Sequence, residues 1–182
     1  MLIAREKLLK SLPIIGKNVQ LRLVELSDAS FIVDLRSRKG QFLSTTPASV
    51  NQQEQWLEGY FDREKLGLEC YFIIENVINK IRIGTARIYE VNLQERSFTF
   101  GSFIVDKNLA IINSASFEAM NLVIDFAFTA LDLEVCNFDC RKNNDIANNF
   151  YRRFGSVLTG ETELDYLYQI INKNYNAKNY VS

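Results

Sequence analysis

GSFIVDKNLAIINSASFEAMNLVIDFAFTALDLEVCNFDCRKNNDIANNFYRRFG, residues 101–155, is the stretch whose reading decides the fold. It opens with a strand (GSFIVD) and passes through small and polar residues from Asn108 to Ser116. A helix follows in which Met120, Val123, Ile124, Ala127, Phe128 and Leu131 recur at the spacing of one buried face. A second strand (VCNFDC) and a short helix ending in NNFYRRFG complete the unit. A loop feeding a helix N-terminus is a ready anion site, because the first amides lack intrahelical acceptors and the dipole favours negative charge. Strand–loop–helix–strand units of this kind bind phosphorylated cofactors where the strands end.

Upstream, Asn18 to Leu26 alternates as a half-buried strand, and Ser27 and Asp28 are placed to cap a helix through about Arg36. The basic turn Arg36, Arg38, Lys39, Gly40 leads into QFLSTTPAS, which Pro47 keeps out of a helix. Ser49 and Gln52 form a capping box for a second helix with an apolar, aromatic stripe at Val50, Gln53, Trp56, Leu57, Tyr60 and Phe61. Tyr71–Glu75, Ile81–Val91 and SFTFGSFIV then make three strands joined by short turns, an antiparallel meander. Gly84 inside the second of these signals a bulge or a close backbone approach. Beyond Gly155, alternation returns in ETELDYLYQII. Residues 1–17 read as an N-terminal extension and 172–182 as a polar tail, around a single domain spanning 1–182.

The composition excludes several chemistries. The chain of 182 residues has no histidine, so Ser–His and Cys–His nucleophile pairs and His-ligated zinc are ruled out. Acid–base work falls to carboxylates, tyrosine, lysine or water. Cys70, Cys136 and Cys140 lack a CxxC spacing and read as buried free thiols in a reducing compartment, so the expectation is a cytoplasmic protein without a metal. With 21 Lys and Arg against 22 Asp and Glu, there is no global pull toward nucleic acid or an acidic membrane. No apolar run approaches the roughly 20 residues of a membrane span.

The element order is strand, two helices, three antiparallel strands, helix, strand, helix, strand, with a phosphate-ready loop after the fourth strand. This resembles the GNAT acyltransferase fold. Within KNNDIANNFYRRFG, Asn144, Ala147, Tyr151 and Gly155 are similar to the family pattern Asn-x-x-(Ser/Ala)-x-x-x-Tyr-x-x-x-Gly-Phe. The run FEAMNLVIDFAFTALDLEVCNFDC resembles the ribosomal-protein and amino-sugar acetyltransferase branches, and the resemblance covers residues 18–171. It implies an α/β (α+β) domain with a mixed, mostly antiparallel central sheet of about six to seven strands and helices on both faces. Two departures stand out. The pyrophosphate loop, normally Gln/Arg-x-x-Gly-x-Gly/Ala, here reads LAIINSAS without glycine, and Ser156 replaces the usual phenylalanine.

The resemblance implies transfer of an acetyl group from acetyl-coenzyme A to a primary amine. Tyr151 matches the family's general acid toward the thiolate, Asn144 the contact to the pantetheine arm, and Ile104 and Val105 the strand that pairs with it. Asn113, Ser114, Ala115 and Ser116 stand where amides meet the pyrophosphate, and Arg141 and Lys142 where basic groups meet the 3′-phosphate. Glu90, at the end of a strand, is the candidate base. Arg36, Phe42 and Trp56, with Arg38, Ser44, Thr45 and Thr46, mix cations, hydroxyls and aromatics on the acceptor side. That mixture suits a nucleotide-linked amino sugar and also the N-terminal amine of a peptide, as in ribosomal-protein acetyltransferases. Small-molecule or peptide amines are thus the expected partners, with no nucleic acid and no membrane, and a homodimer is compatible. The glycine-free loop keeps a second class open, a binding module of the same fold that has lost coenzyme A.

Overall fold

The computed structural model describes residues 10–43 and 49–175. Ser44, Thr45 and Thr46 of the acceptor segment, the first nine residues and the end of the tail lie outside the described residues. The strands are β1 (Ile14–Ile15), β2 (Val19–Leu23), β3 (Cys70–Asn76), β4 (Arg82–Asn92), β5 (Ser97–Val105), β6 (Val135–Arg141), β7 (Val157–Glu161) and β8 (Asp165–Ile171). The helices are α1 (Ala29–Lys39), α2 (Val50–Lys65), α3 (Ala115–Thr129) and α4 (Asp145–Arg153). All eight strands form one sheet in the order β1-β2-β3-β4-β5-β6-β8-β7. Every neighbouring pair is antiparallel except β5 and β6.

The sheet therefore carries more strands than the sequence pattern signals. β1 is two residues long, and β7 is an edge strand with no buried residue, so neither shows the buried alternation by which strands are recognised.

Alternation along the strands separates two cores. On one face Phe72, Ala86, Ile88, Phe100 and Phe138 pack against α3, whose Met120, Val123, Ile124 and Ala127 are completely buried. On the other, Tyr71 and Ile73 of β3 meet Ile32 of α1 and Leu57 and Tyr60 of α2. Helices thus lie on both faces. Ser49 caps α2 as expected, its side chain accepting from Gln52 N–H at 3.2 Å. Asp28 does not cap α1 with its side chain. Its buried carboxylate instead takes Arg22 Nη1 at 2.7 Å, Arg82 Nη1 at 3.0 Å and the Glu25 amide at 2.8 Å, because two guanidiniums outbid one helix amide. These partners hold the Asp28 carboxyl below the usual carboxylate range in spite of its burial.

Gly84 shows both features its position signals: the β3–β4 register slips beside it, and it faces Val105 of β5. A Cβ there would run into the Ile104 carbonyl oxygen, a backbone atom that cannot swing away. Gly84→Ala is expected to destabilise the protein by about 1–3 kcal/mol. Thermal melting checks this, and an unchanged melting temperature would refute the close approach.

Candidate active site

The parallel pair builds the site. β5 and β6 are hydrogen-bonded only at their starts, from Ser97↔Val135 to Thr99↔Asn137. Beyond Thr99 the two strands part, which leaves the β6-facing edge of β5 without a ladder partner. An unpaired strand edge is a template for an extended ligand that carries amides. β5 also bulges here: Thr85↔Ile104 and Arg87↔Gly101 oppose three steps on β5 to two on β4. Ser102 takes a φ of 49° in the bulge, and its carbonyl accepts from Thr85 Oγ1 at 2.7 Å. Bulges re-aim the backbone next to active sites.

A cavity of about 690 Å³ opens into this gap and continues beneath α1 and α2. Its donor half is lined by Phe103, Ile104, Asn144, Ala147 and Tyr151, and its acceptor half by Arg36, Phe42, Trp56, Arg87 and Tyr89. The cavity thus brings together Tyr151, Ile104, Asn144, Arg36, Phe42 and Trp56 from among the residues singled out in the sequence.

Tyr151 is held by local chemistry. Its ring packs 4.7 Å from that of Phe138 on β6 and 5.4 Å from that of Phe150. α4 is docked by Asn148, whose Nδ2 donates to the Arg141 carbonyl at 2.9 Å while its Oδ1 accepts from the Tyr168 hydroxyl at 2.9 Å. Asn144 caps the helix through Ala147 N–H at 3.2 Å. At the other end Gly155, at φ 88°, lets the Ser156 amide and hydroxyl both return to the Tyr151 carbonyl, at 3.2 and 2.6 Å. Ser156 therefore works as a helix stop. The Tyr151 hydroxyl makes no hydrogen bond with another described residue. Burial, then the neighbouring Cys140 and Asp139, push it well above the ordinary phenol range.

Glu90 lies outside the cavity lining. It occupies a bulge of β4 at φ 52°, is exposed, and accepts from Thr99 Oγ1 at 2.7 Å. Asp139 of β6 lines the cavity instead and forms no ion pair among the described residues. Desolvation and the nearby Asp165 charge raise its carboxyl above the usual range, against the pull of Arg141. The sequence carried a signal for it: Asp139 falls between the buried Phe138 and Cys140, so it must face the other side of the sheet.

The phosphate end is set by the start of α3. Asn113 and Ser114 are exposed, and Ser114 occupies the N-cap position without a side-chain cap bond. The Ala115 amide goes to Ile112 O at 3.3 Å and the Glu118 amide to Ser114 O at 3.0 Å. The amides of Asn113, Ser114 and Ser116 meet no acceptor among the described residues. Arg153 of α4, with its guanidinium 5.7 Å from the Phe117 ring, adds a cation at this end. An uncapped helix N-terminus beside an arginine fits a pyrophosphate without a glycine in the loop. None of Asn113, Ser114, Ala115, Ser116 or Val105 lines the cavity itself. Arg141 lines the cavity while paired with Asp165 at 3.1 Å, and Lys142, outside the lining, is paired with Glu161 at 3.2 Å. Arg38 is likewise tied to Asp34 and the buried Asp106 rather than to the acceptor side.

Cys70, Cys136 and Cys140 are free and buried, and burial pushes the Cys140 thiol up to about 11, which leaves it un-ionised at neutral pH. No group of metal-ligating side chains occurs among the described residues, and no helix among them is long and apolar enough to cross a membrane.

A splayed parallel pair, a bulged strand edge and an uncapped helix N-terminus define the class: an acyltransferase that takes its acyl group from a coenzyme A thioester. The chain belongs to the GNAT acetyltransferase family, matching the model of the acetyltransferase (GNAT) domain over residues 18–157. It is an acetyl-coenzyme A-dependent N-acetyltransferase. Among solved structures it is similar to apo FdhC, a nucleotide-linked sugar GNAT, at 30% identity over 90% of this chain and 92% of that one, with a TM-score of 0.81. It shares its fold with the ribosomal-protein-S5-alanine acetyltransferase of Vibrio fischeri (19% identity, 91% and 99% coverage, TM-score 0.76). The same holds for the spermidine N-acetyltransferase of Vibrio cholerae in complex with coenzyme A and spermine (22% identity, 88% and 99% coverage, TM-score 0.75). None of the curated proteins compared with the chain matches it.

Proposed function

We propose that the acceptor is a nucleotide-linked amino sugar, acetylated on its primary amine. The observation that carries this reading is the charge of the acceptor cavity. Its lining holds the cations Arg36, Lys39, Arg87 and Arg141 and one carboxylate, Asp139, while Asp106, Glu69 and Asp165 pair with Lys39, Arg87 and Arg141 from outside it. Such walls favour a negatively charged molecule that also carries one amine. They disfavour a polyamine, whose several positive charges would face guanidiniums at close range. The resemblance to a nucleotide-linked sugar GNAT supports the same reading.

In this scheme the thioester bound in the β5–β6 gap supplies an activated acetyl carbonyl. Residues at the start of α3, with Arg153, hold its phosphates, and the open edge of β5 around Ile104 holds its arm. Asp139 takes the proton that the amine loses as the new N–C bond forms. Tyr151 gives its proton to the sulfur as the S–C bond breaks, so the proton balance closes within the site. Glu90 stands next to Asp139 and adds to the negative potential there without entering the cavity.

Thiol release with acetyl-coenzyme A tests the acceptor. Nucleoside diphosphate-linked amino sugars are expected to be turned over with a kcat/KM at least about 100-fold above spermidine or an N-terminal alanyl peptide, about 2.7 kcal/mol of discrimination. Preference for the peptide would replace the sugar reading with the N-terminal one. The absence of any thermal stabilisation by coenzyme A would favour the non-catalytic binding module.

A further inference from the structure

The pairing registers put three residues of neighbouring strands on one face of the sheet. Arg87 of β4 is paired with Tyr71 on one side and Gly101 of β5 on the other. Two residues earlier on β5, Thr99 is paired with Tyr89 of β4 and Asn137 of β6. Asp139 lies two residues further along β6, past the last paired position, where β5 and β6 have begun to part. Side chains alternate faces with a period of two, so Arg87, Gly101 and Asp139 all belong to the face covered by α1 and α2. All three line the cavity. In strand order they read guanidinium, no side chain, carboxylate. Arg87 and Asp139 thus come from the strands on either side of β5, with the Tyr89 ring lying over the glycine between them.

The glycine makes room for the Tyr89 ring. A Cβ on Gly101 would come within 3.0 Å of the Tyr89 ring, so even a methyl group would displace the neighbouring wall.

Arg87 has donors to spare. Its Nη2 bonds Glu69 at 2.8 Å, and it forms no other hydrogen bond among the described residues. Its Nε is buried without a partner. Glu69 is shared with Arg63, whose Nε lies 2.9 Å away, so Arg87 holds only one oxygen of that carboxylate. Arg87 is held in place by the rings of Trp56 and Tyr89, 4.9 and 4.5 Å from its guanidinium carbon. A half-buried, immobilised arginine with unused N–H groups is a receptor for a phosphate.

From this arrangement we infer that Arg87 is the acceptor's phosphate subsite: a phosphorylated amine lies in the cavity that both residues line, its phosphate at Arg87 and its amino group at Asp139. Lys39, from the end of α1, lines the same half of the cavity and adds a second cation. The inference rests on the amino-sugar reading for the amine but not for the anion. A nucleoside diphosphate or a sugar 1-phosphate shares the chemistry that Arg87 recognises.

The test separates the two. Calorimetric titration of the full chain with bare uridine or thymidine diphosphate is compared with Arg87→Gln and Arg87→Lys, each first checked for an intact melt. Wild-type protein is expected to bind the diphosphate. Arg87→Gln should weaken it about 10- to 100-fold, with partial rescue in Arg87→Lys. KM for the linked amino sugar should rise by a similar factor in Arg87→Gln, more than kcat falls, and the loss in kcat/KM should be smaller for the same amino sugar without phosphate. Amino sugar 1-phosphate used as well as the linked sugar would place only the proximal phosphate at Arg87 and still support the subsite. Equal diphosphate binding by wild type and Arg87→Gln overturns the subsite and leaves the amino-sugar reading standing. Tight diphosphate binding without acetylation of any amino sugar supports the subsite and overturns that reading instead.

Discussion

Tyr151→Phe is expected to lower kcat by about 10²- to 10⁴-fold while leaving coenzyme A binding near the wild-type level. The substitution keeps the ring and with it the contacts to Phe138 and Phe150 that seat α4. What it removes is the hydroxyl proton assigned to the departing sulfur. Burial first, and the Cys140 and Asp139 charges after it, hold the phenol well above its ordinary range. It therefore stays protonated across the neutral and moderately alkaline range, as an acid must. In the wild type no alkaline fall in kcat should arise from Tyr151 below pH 10, the ordinary tyrosine value. A steady-state comparison with a thermal-shift control for coenzyme A decides the matter, and an unchanged kcat would remove Tyr151 from the chemistry.

Asp139→Asn is expected to cost a similar factor in kcat/KM and to abolish the acid limb of the pH profile. The sign follows from the role. A base accepts a proton only when ionised, so activity is present above the Asp139 value and lost as pH falls through it. Desolvation, with Asp165 next in weight, raises that value, so the limb lies above the pH of an ordinary carboxylate. Asp165→Asn should move the limb to lower pH without abolishing it, because it removes a repelling charge. Glu90→Gln should do the same to a smaller degree, since its influence on Asp139 is the weaker. If Glu90→Gln erased the limb and Asp139→Asn did not, the base would be Glu90.

The contrast between these two carboxylates shows how far the site was legible in the chain. Glu90 looked well placed because it ends a strand, and strand ends border clefts. Its backbone conformation at φ 52° and its bond to Thr99 come from a bulge, which depends on the register of β4 against β5. Asp139 carried only an alternation signal. Nothing in VCNFDC says that the strand before it would part from its neighbour just there. Tyr151 and Asn144 were legible because helix spacing places them relative to each other within one short element. The ion pairs of Arg141 and Lys142 were not legible, since their partners Asp165 and Glu161 come from a hairpin that only the folded sheet brings alongside.

By itself, the sequence determined the order of the helices and of the strands other than β1 and β7, the buried stripe of α3, the absence of histidine chemistry and the identity of the local motif around Tyr151. Each of these depends on periodicity, composition or neighbours a few residues apart. The tertiary structure alone decided where β5 and β6 diverge, which carboxylate enters the cavity, and that Arg87, Gly101 and Asp139 share one face of the sheet. Those outcomes depend on pairing between segments far apart in the chain. A shift of one residue in register would turn every one of these side chains to the opposite face.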